Sequence, residues 1–278
     1  MRAELLAGRR KLESAGIPLP WLDAEILLAH VLRTSRERLH SHPERRLTPA
    51  QLRDIGRLTR RRAARVPLPY LVGEREFYGH MLAVRPGVLI PRPETELVVE
   101  LAIEWLTAHP ESRRVIDLGT GSGAVAIAVA KAVPDVRIVA RDVSPRALRV
   151  ADENVRRHRL RRRITLARAS LLSGAHPADL ILANLPYIPE ALRRARPPEL
   201  KYEPAFAIYG GEDGLALIRK ALQQATSVIK PGGCLIFECD PAQARRIARL
   251  AARQWPLADV SVHKDLAGRN RVVQIRLP

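Results

Sequence analysis

The apolar residues of the first 72 positions recur at helical spacing, as at Leu22 and Ile26. A helix start is indicated at residues 48–51, where Thr48 suits the N-cap, a proline follows it and a glutamine can close a capping box. The pattern predicts three or four short helices over residues 1–72. None of them carries an evident catalytic group, so we expect a substrate-recognition domain or a scaffold.

The pattern changes over residues 73–95. Polar and apolar residues alternate on both sides of Gly79, as they do in a β-hairpin, and prolines punctuate the chain that follows. This stretch is therefore predicted to be a β-hairpin linker between the helical domain and a larger domain at residues 96–278.

Helical and strand patterns alternate from residue 96 onward. The predicted strands are 115–118, 136–140, 164–167, 179–183, 234–239, 260–264 and 272–277, and the predicted helices are 96–108, 123–132, 145–157 and 214–229. Strands that alternate with helices form a parallel sheet, and the last two strands form a hairpin that adds an antiparallel edge. The fold class is thus α/β and Rossmann-like, with a mostly parallel seven-stranded sheet.

A glycine-rich segment follows the first of these strands. Asp117 ends the strand, and residues 119–123 (Gly-Thr-Gly-Ser-Gly, the glycine loop) lead into a helix, which brings the backbone close to a nucleotide-like ligand. Asp142 ends the next strand, where a carboxylate can accept both ribose hydroxyls. Asp117 either caps the turn or faces the positively charged methionine portion of S-adenosylmethionine. The glycines alone also fit a dinucleotide fold.

The residues expected to bind the cofactor extend beyond the glycine loop to the ends of later strands. They are Asp117, Gly119, Thr120, Gly121, Ser122, Gly123, Asp142, Ser170, Leu171 and Asn184. Ser170 and the backbone beside it stand after the third strand, where many methyltransferases place an acid that accepts from the adenine amino group.

The tetrapeptide at residues 184–187 (the acceptor loop) follows a buried apolar strand. The Asn184 side-chain oxygen and the Leu185 carbonyl can each accept one N–H of a planar amide or amino group, which positions its nitrogen for methyl transfer. Pro186 restricts Leu185 and so fixes that carbonyl, and Tyr187 can stack on the acceptor. The alternative is an ordinary tight turn at the end of a strand. With the glycine loop upstream, these four residues are predicted to bind the substrate and act in catalysis.

The net charge of +18 favours polyanionic partners, but a solvated arginine-rich surface explains it equally well. The dense arginine cluster at 156–163 is a candidate for nonspecific RNA contact. Cys234 and Cys239 are not spaced for a bridge, and the sequence shows neither a metal-ligand cluster, a membrane span nor a signal peptide. We therefore expect a cytoplasmic monomer.

Several motifs in the same order resemble the PrmC (HemK) family of release factor glutamine N5-methyltransferases. The matching segments are 69–73, 76–79, 89–96, 117–123, 142–144, 187–189, 202–204, 210–215 and 265–271. The resemblance implies a class I S-adenosylmethionine-dependent methyltransferase fold. It also implies methylation of the glutamine in the Gly-Gly-Gln loop of peptide chain release factors, which the helical domain would help to grip.

The chain departs from the family pattern in three places. Leu185 stands where the family usually has proline, Ser170 replaces an acid, and residues 238–240 read Glu-Cys-Asp instead of Glu-x-Gly. None of these changes removes a group that the proposed chemistry requires. The Leu185 change bears on rate, because the loop loses one rigid residue.

Four other functions compete with this interpretation. A ribosomal-protein glutamine methyltransferase shares the acceptor tetrapeptide, but the segment at residues 92–96 favours the release-factor branch. A DNA adenine N6-methyltransferase suits the positive charge, yet there is no evident target-reading domain. A nucleic-acid-binding protein with a degenerate methyltransferase fold conflicts with the intact motifs. An NAD-dependent oxidoreductase lacks a proton-donating set near the glycines.

Overall fold

The computed structural model describes residues 1–278, which form two compact units. The first unit contains residues 1–74 and 197–202, and the second contains residues 75–196 and 203–278. None of the helices combines the length and the apolar character needed to cross a bilayer.

The first unit is built from five helices where three or four were expected. Their bounds are α1 Arg2–Ser14, α2 Pro20–Leu32, α3 Arg36–Ser41, α4 Pro49–Ala63 and α5 Leu68–Val72. The helix start at Thr48 is confirmed, because its side chain accepts from the Gln51 backbone N–H at 3.2 Å and its own N–H donates to the Gln51 side chain at 3.0 Å. The core is aliphatic and includes Leu12, Leu28 and Ile55.

Partly buried ion pairs join the later segment 197–202 to these helices. Arg62 donates to Asp23 at 2.6 Å and to Glu199 at 3.2 Å, and Arg65 also donates to Glu199 at 3.2 Å. The Tyr202 hydroxyl donates to the Ala64 carbonyl at 2.7 Å. The first unit is therefore assembled from two stretches of chain that are distant in sequence.

The second unit contains a two-stranded hairpin and a seven-stranded sheet. The strands are β1 Glu74–Phe77, β2 His80–Ala83, β3 Arg114–Leu118, β4 Arg137–Asp142, β5 Ile164–Arg168, β6 Ala178–Ala183, β7 Ile229–Glu238, β8 Asp259–Lys264 and β9 Asn270–Arg276. The large sheet has the order β5-β4-β3-β6-β7-β9-β8. Strand β9 runs in the opposite direction to the other six strands. The predicted α/β fold, mostly parallel with an antiparallel edge, is confirmed.

Helices cover both faces of the large sheet. They are α6 Glu96–Ala108, α7 Ala124–Ala132, α8 Pro145–Arg157, α9 Ala216–Ala225 and α10 Ala244–Gln254. Because side chains alternate along a strand, Val115 belongs to the buried cluster with α6 and α7, while Ile116 belongs to the cluster with α9 and α10. Alanine occupies every second position of α7, and residues 124–130 are all buried, so this helix packs closely on the sheet behind the glycine loop.

The structure corrects the prediction after residue 213. The helix expected at 214–229 covers only Ala216–Ala225, because the chain turns there, with the Val228 N–H donating to the Ala225 carbonyl at 3.0 Å. The turn expected at 230–233 lies inside β7, whose pairing with β6 shifts register at this point. Helix α10 was missed, although Ala244, Ile247 and Ala251 bury one face of it at helical spacing.

Asn154 on α8 ties the hairpin to the glycine loop. Its side chain accepts from the Ala83 N–H at 2.7 Å and donates to the Ala83 carbonyl at 3.0 Å and the Ser122 carbonyl at 2.9 Å. The residue is fully buried. The Ala83 N–H, the Ala83 carbonyl and the Ser122 carbonyl therefore all depend on this one side-chain amide, because a buried site offers no water to replace it.

We expect Asn154→Ala to lower the free energy of unfolding by about 3 kcal/mol or more, because it leaves three buried polar groups without partners. Glu153→Ala is the matched control on the same helix: it removes an exposed ion pair with Arg85 and should cost less than about 1 kcal/mol. Urea unfolding of both variants measures the difference. Equal losses would show that Asn154 does not anchor the loop.

Candidate active site

A cavity of about 330 Å³ lies at the carboxyl ends of β3, β4 and β6 in the second unit. This volume falls within the range of small-molecule sites in proteins. The predicted site residues that line it are Asp117, Gly119, Thr120, Gly121, Ser122, Asp142, Ser170, Leu171, Asn184, Leu185 and Pro186. Gly123 and Tyr187 are not among the lining residues.

The cavity wall also contains residues that the sequence did not single out as a site. They include Phe77, Leu89, Arg92, Thr95, Arg141 and Phe206. Arg92 and Thr95 lie in segment 89–96, and the resemblance of this segment to the family was a signal in the sequence that it contributes to the site. Arg141 is a charged residue directly after the apolar run 138–140, and this also could have been noticed.

Asp117 lies at the floor of the cavity and is almost completely buried. The Thr120 hydroxyl donates to its Oδ2 at 2.6 Å. Burial raises the pKa of Asp117 to about 6, and the nearby Asp142 carboxylate adds to the rise. A cation bound nearby would stabilise the ionised form of this buried carboxyl group.

The Asp142 carboxylate is held by two backbone N–H groups. Gly121 donates to Oδ2 at 3.0 Å, and Ser144 donates to Oδ1 at 2.8 Å. Burial raises the pKa of Asp142, and these hydrogen bonds oppose the rise. Each carboxylate oxygen has a second lone pair, so both can still accept a hydroxyl from a ligand in the cavity.

The loop after β5 is fixed by side chains from outside it. Leu171 has a φ of +50°, which is strained for a leucine. The Arg141 Nε donates to the Leu171 carbonyl at 2.7 Å, and the Leu172 N–H donates to the Gln224 side chain at 2.9 Å. Arg141 is thus a structural clamp on the cavity wall, and burial lowers the pKa of its guanidinium.

The acceptor loop lies directly beside the glycine loop. A Cβ atom on Gly119 would be 3.3 Å from the Asn184 carbonyl oxygen, so a side chain there would crowd the acceptor loop. The Asn184 Nδ2 donates to the Thr95 Oγ1 at 2.9 Å. This hydrogen bond turns the amide nitrogen toward Thr95, and the side-chain oxygen is the acceptor atom that Asn184 can offer to a ligand.

Tyr187 is held at both its hydroxyl and its backbone. The hydroxyl donates to the Glu238 Oε1 at 2.8 Å, and the Tyr187 carbonyl accepts from the Gln243 Nε2 at 2.7 Å. Burial raises the pKa of the Tyr187 hydroxyl, and the Glu238 charge adds to the rise. The hydroxyl therefore stays protonated and is a donor to Glu238. Stacking of this ring on an acceptor remains a prediction.

Two glycines press against the back of the acceptor loop. A Cβ atom on Gly210 would lie 2.3 Å from the Pro186 carbonyl oxygen, and one on Gly214 would lie 2.0 Å from the Tyr187 carbonyl oxygen. No real Cβ atom fits at such distances. The segment 208–214 thus supports the acceptor loop from behind, and it can do so only with glycine at these positions.

Comparison with known proteins gives two family matches. Residues 5–73 match the PrmC N-terminal domain, and residues 95–193 match the methyltransferase small domain. The release factor glutamine methyltransferase of Deinococcus radiodurans is 38% identical over 278 residues, covering 99% of this chain and 98% of that protein. The protein of the same name from Moorella thermoacetica is 39% identical, covering 98% and 96%.

The chain also resembles a solved structure. The crystal structure of ribosomal protein L11 methylase from Lactobacillus delbrueckii subsp. bulgaricus superimposes with a TM-score of 0.51 at 25% identity, covering 70% of this chain and 84% of that one. The likeness supports the methyltransferase fold that the strand order gives.

We expect Gly214→Ala to destabilise the protein by at least about 3 kcal/mol, because the added methyl group meets a backbone oxygen that cannot move freely. Gly268→Ala is the matched control: both glycines have a φ of +74°, but nothing lies within 4 Å of a Cβ atom on Gly268. Strain at positive φ alone should cost the control about 1 kcal/mol. Urea unfolding tests the prediction, which is wrong if the two variants lose equal stability.

Proposed function

Because this chain belongs to the release factor glutamine methyltransferase family, we propose that it transfers a methyl group from S-adenosylmethionine to the side-chain N5 of the glutamine in the Gly-Gly-Gln loop of peptide chain release factors. The observation that carries the proposal is the single cavity in which the acceptor loop and the glycine loop meet. One loop suits an amide, and the other suits a nucleoside.

The residues of the cavity fit the cofactor. When bound, S-adenosylmethionine supplies a methyl group on a positively charged sulfonium. The Asp117 carboxylate is buried at the floor and would hold the positively charged methionine portion. Asp142 would accept the ribose hydroxyls, and Ser170 with the Leu171 backbone would contact the adenine. Glycine at 119 keeps this volume open beside the Asn184 carbonyl.

The acceptor loop suits an amide nitrogen, which is a weak nucleophile because its lone pair is delocalised into the carbonyl group. The Asn184 Oδ1 and the Leu185 carbonyl would each accept one N–H of the glutamine side chain. This orients and polarises the nitrogen, so catalysis comes mainly from positioning and electrostatics. Pro186 restricts the Leu185 backbone, and the Tyr187 ring would cover the planar amide. The proton can leave to water after transfer.

The division of the chain suggests how a protein substrate is held. Residues 1–72 would help to grip the release factor, residues 73–95 would link them to the catalytic domain, and residues 96–278 would carry out methyl transfer. Two buried free cysteines are consistent with the cytoplasm as the site of the reaction. We expect a monomer, with the arginine cluster at 156–163 available for nonspecific RNA contact.

The proposed function is tested by methyl transfer from labelled S-adenosylmethionine to a purified release factor. The same assay includes the release factor with Gln→Ala in its Gly-Gly-Gln loop, a DNA duplex and ribosomal proteins. We expect label in the wild-type release factor only. Label in DNA or in a ribosomal protein would retain the cofactor assignment and overturn the substrate.

In that assay we expect Asn184→Ala to lower kcat by about 100-fold or more, because the amide loses one of its two acceptors, while cofactor affinity changes by less than about threefold. Asn270→Ala makes the same chemical change on β9 and serves as the control. An unchanged rate for Asn184→Ala would show that this side chain does not hold the acceptor amide.

Cofactor affinity should depend on pH through Asp117. Its pKa of about 6 means that the carboxyl is protonated below that pH and must release the proton to face a cation. Affinity for S-adenosylmethionine should therefore be constant above about pH 7 and fall by up to about tenfold per pH unit below pH 6. Equilibrium dialysis of the wild type and Asp117→Asn measures this. The variant should bind weakly and without this pH dependence, and an identical pH profile would contradict the assignment.

A further inference from the structure

We propose that Glu238 is a positioning residue that acts through the Thr95 hydroxyl to select the Asn184 amide orientation in which Oδ1 faces the cavity. This inference rests on the proposed function of the acceptor loop and deepens it. It assigns a role to the threonine of the segment 89–96 and to the glutamate that ends β7, neither of which takes part in the mechanism described above.

Glu238 is a carboxyl group in an unusual position. It is 1% exposed, and its Oε1 accepts from the Tyr187 hydroxyl at 2.8 Å. Its Oε2 has no well-aligned hydrogen-bond partner. Burying a carboxylate with an unsatisfied oxygen is energetically unfavourable, and such a group in a native structure calls for an explanation.

Thr95 stands between Glu238 and Asn184. It is 4% exposed, ends the 3₁₀ turn Pro93–Thr95, and accepts from the Asn184 Nδ2 at 2.9 Å. A hydroxyl has a single proton, and Thr95 can give it to the Glu238 carboxylate, whose pKa it lowers. The hydroxyl accepts from Asn184 and keeps its own proton for a second partner, and the unpaired Glu238 Oε2 is the acceptor that we assign to it.

The direction of this hydrogen-bond chain decides what Asn184 presents to the substrate. In its ionised form the Glu238 carboxylate can only accept: the Tyr187 hydroxyl donates to Oε1, and under this proposal the Thr95 hydroxyl donates to Oε2. Thr95 is then left as an acceptor, and Asn184 must turn its Nδ2 toward it. The reversed amide would place an NH₂ group against the NH₂ of the substrate, where two donors repel each other. Only the observed orientation provides an acceptor.

The positive charge of Arg271 opposes the protonation of Glu238. Burial raises the pKa of Glu238, while the Thr95 and Tyr187 hydroxyls and the positive charge of Arg271 act against that rise. Arg271 is itself buried, and its guanidinium donates to the Cys239 carbonyl at 3.5 Å and to Asp265 at 3.4 Å. Arg271 is thus paired with Asp265, and the Tyr187 hydroxyl is the donor that the structure places on the Glu238 carboxylate.

The first test observes the Asn184 amide directly and needs no substrate. The chain contains only three asparagines, Asn154, Asn184 and Asn270, so ¹⁵N-asparagine labelling gives three side-chain NH₂ pairs. Asn184→Ala identifies one of them by its loss. We expect Thr95→Val to shift the Asn184 pair and to leave the Asn154 pair unchanged, which also shows that the fold is intact.

Thr95→Ser keeps the hydroxyl and should leave the Asn184 pair near its wild-type position. Glu238→Gln should shift the same pair, because the Thr95 proton loses its charged acceptor. An Asn184 pair that does not respond to Thr95→Val, or that responds equally to Thr95→Ser, would overturn the proposal.

The second test uses methyl transfer to the release factor and asks whether Glu238 acts through Thr95. Thr95→Val should lower kcat by about 30-fold with the KM for S-adenosylmethionine changed less than about threefold, and Thr95→Ser should restore most of the rate. Glu238→Gln should lower kcat by about tenfold in the wild type and not at all in the Thr95→Val background.

A loss of the same size in both backgrounds would mean that Glu238 acts by another route, such as Tyr187, and would contradict the proposal. The two tests also separate this inference from the proposed function. If the wild type leaves the release factor unlabelled while the Asn184 pair responds to Thr95→Val, the substrate assignment fails, but the proposed control of the Asn184 amide orientation is retained. If the release factor is labelled and the pair does not respond, only the inference fails.

Discussion

The parallel pairing of β3 with β6 is the constraint on which the rest of the site depends. Leu118 pairs with Ala183, so the residues that follow each strand leave the sheet side by side. Parallel strands deliver their carboxyl ends to one edge, and ligands bind there in open α/β sheets. The glycine loop and the acceptor loop are therefore brought together by backbone pairing deep in the sheet, before any side chain in the cavity makes a contact.

This arrangement places several energetically unfavourable groups at one edge of the sheet. Asp117 and Glu238 are buried carboxyl groups with raised pKa values, and Leu171 has a positive φ. Each is held by a neighbour: Thr120 donates to Asp117, Arg141 to the Leu171 carbonyl, and Tyr187 to Glu238. The aliphatic layers on both sides of the sheet provide the stability that such features require.

The sequence predicted the α/β fold well because its strands are short apolar runs that end in recognisable loops. It also named eleven of the 27 residues that line the cavity, including four residues of the glycine loop and three of the acceptor loop. It could not reveal the hydrogen bond from Asn184 to Thr95 or the one from Tyr187 to Glu238, because these pairs are far apart in the chain and periodicity carries no information on which side chains meet. The bulge in β7 was missed for a similar reason, since the glycines at 232–233 read locally as a turn.

The support behind the acceptor loop also explains how the chain tolerates leucine at position 185. A proline there would stiffen the loop by itself. Instead, the Leu185 side chain is buried at 4% exposure, and its Cδ2 would be only 3.3 Å from a Cβ atom on Gly119. Packing fixes one side of the loop, and the close approach of Gly214 with the hydrogen bond from Gln243 fixes the other. The carbonyl of residue 185 is thus positioned by its surroundings, so the rigidity that proline would supply locally is replaced by tertiary contacts.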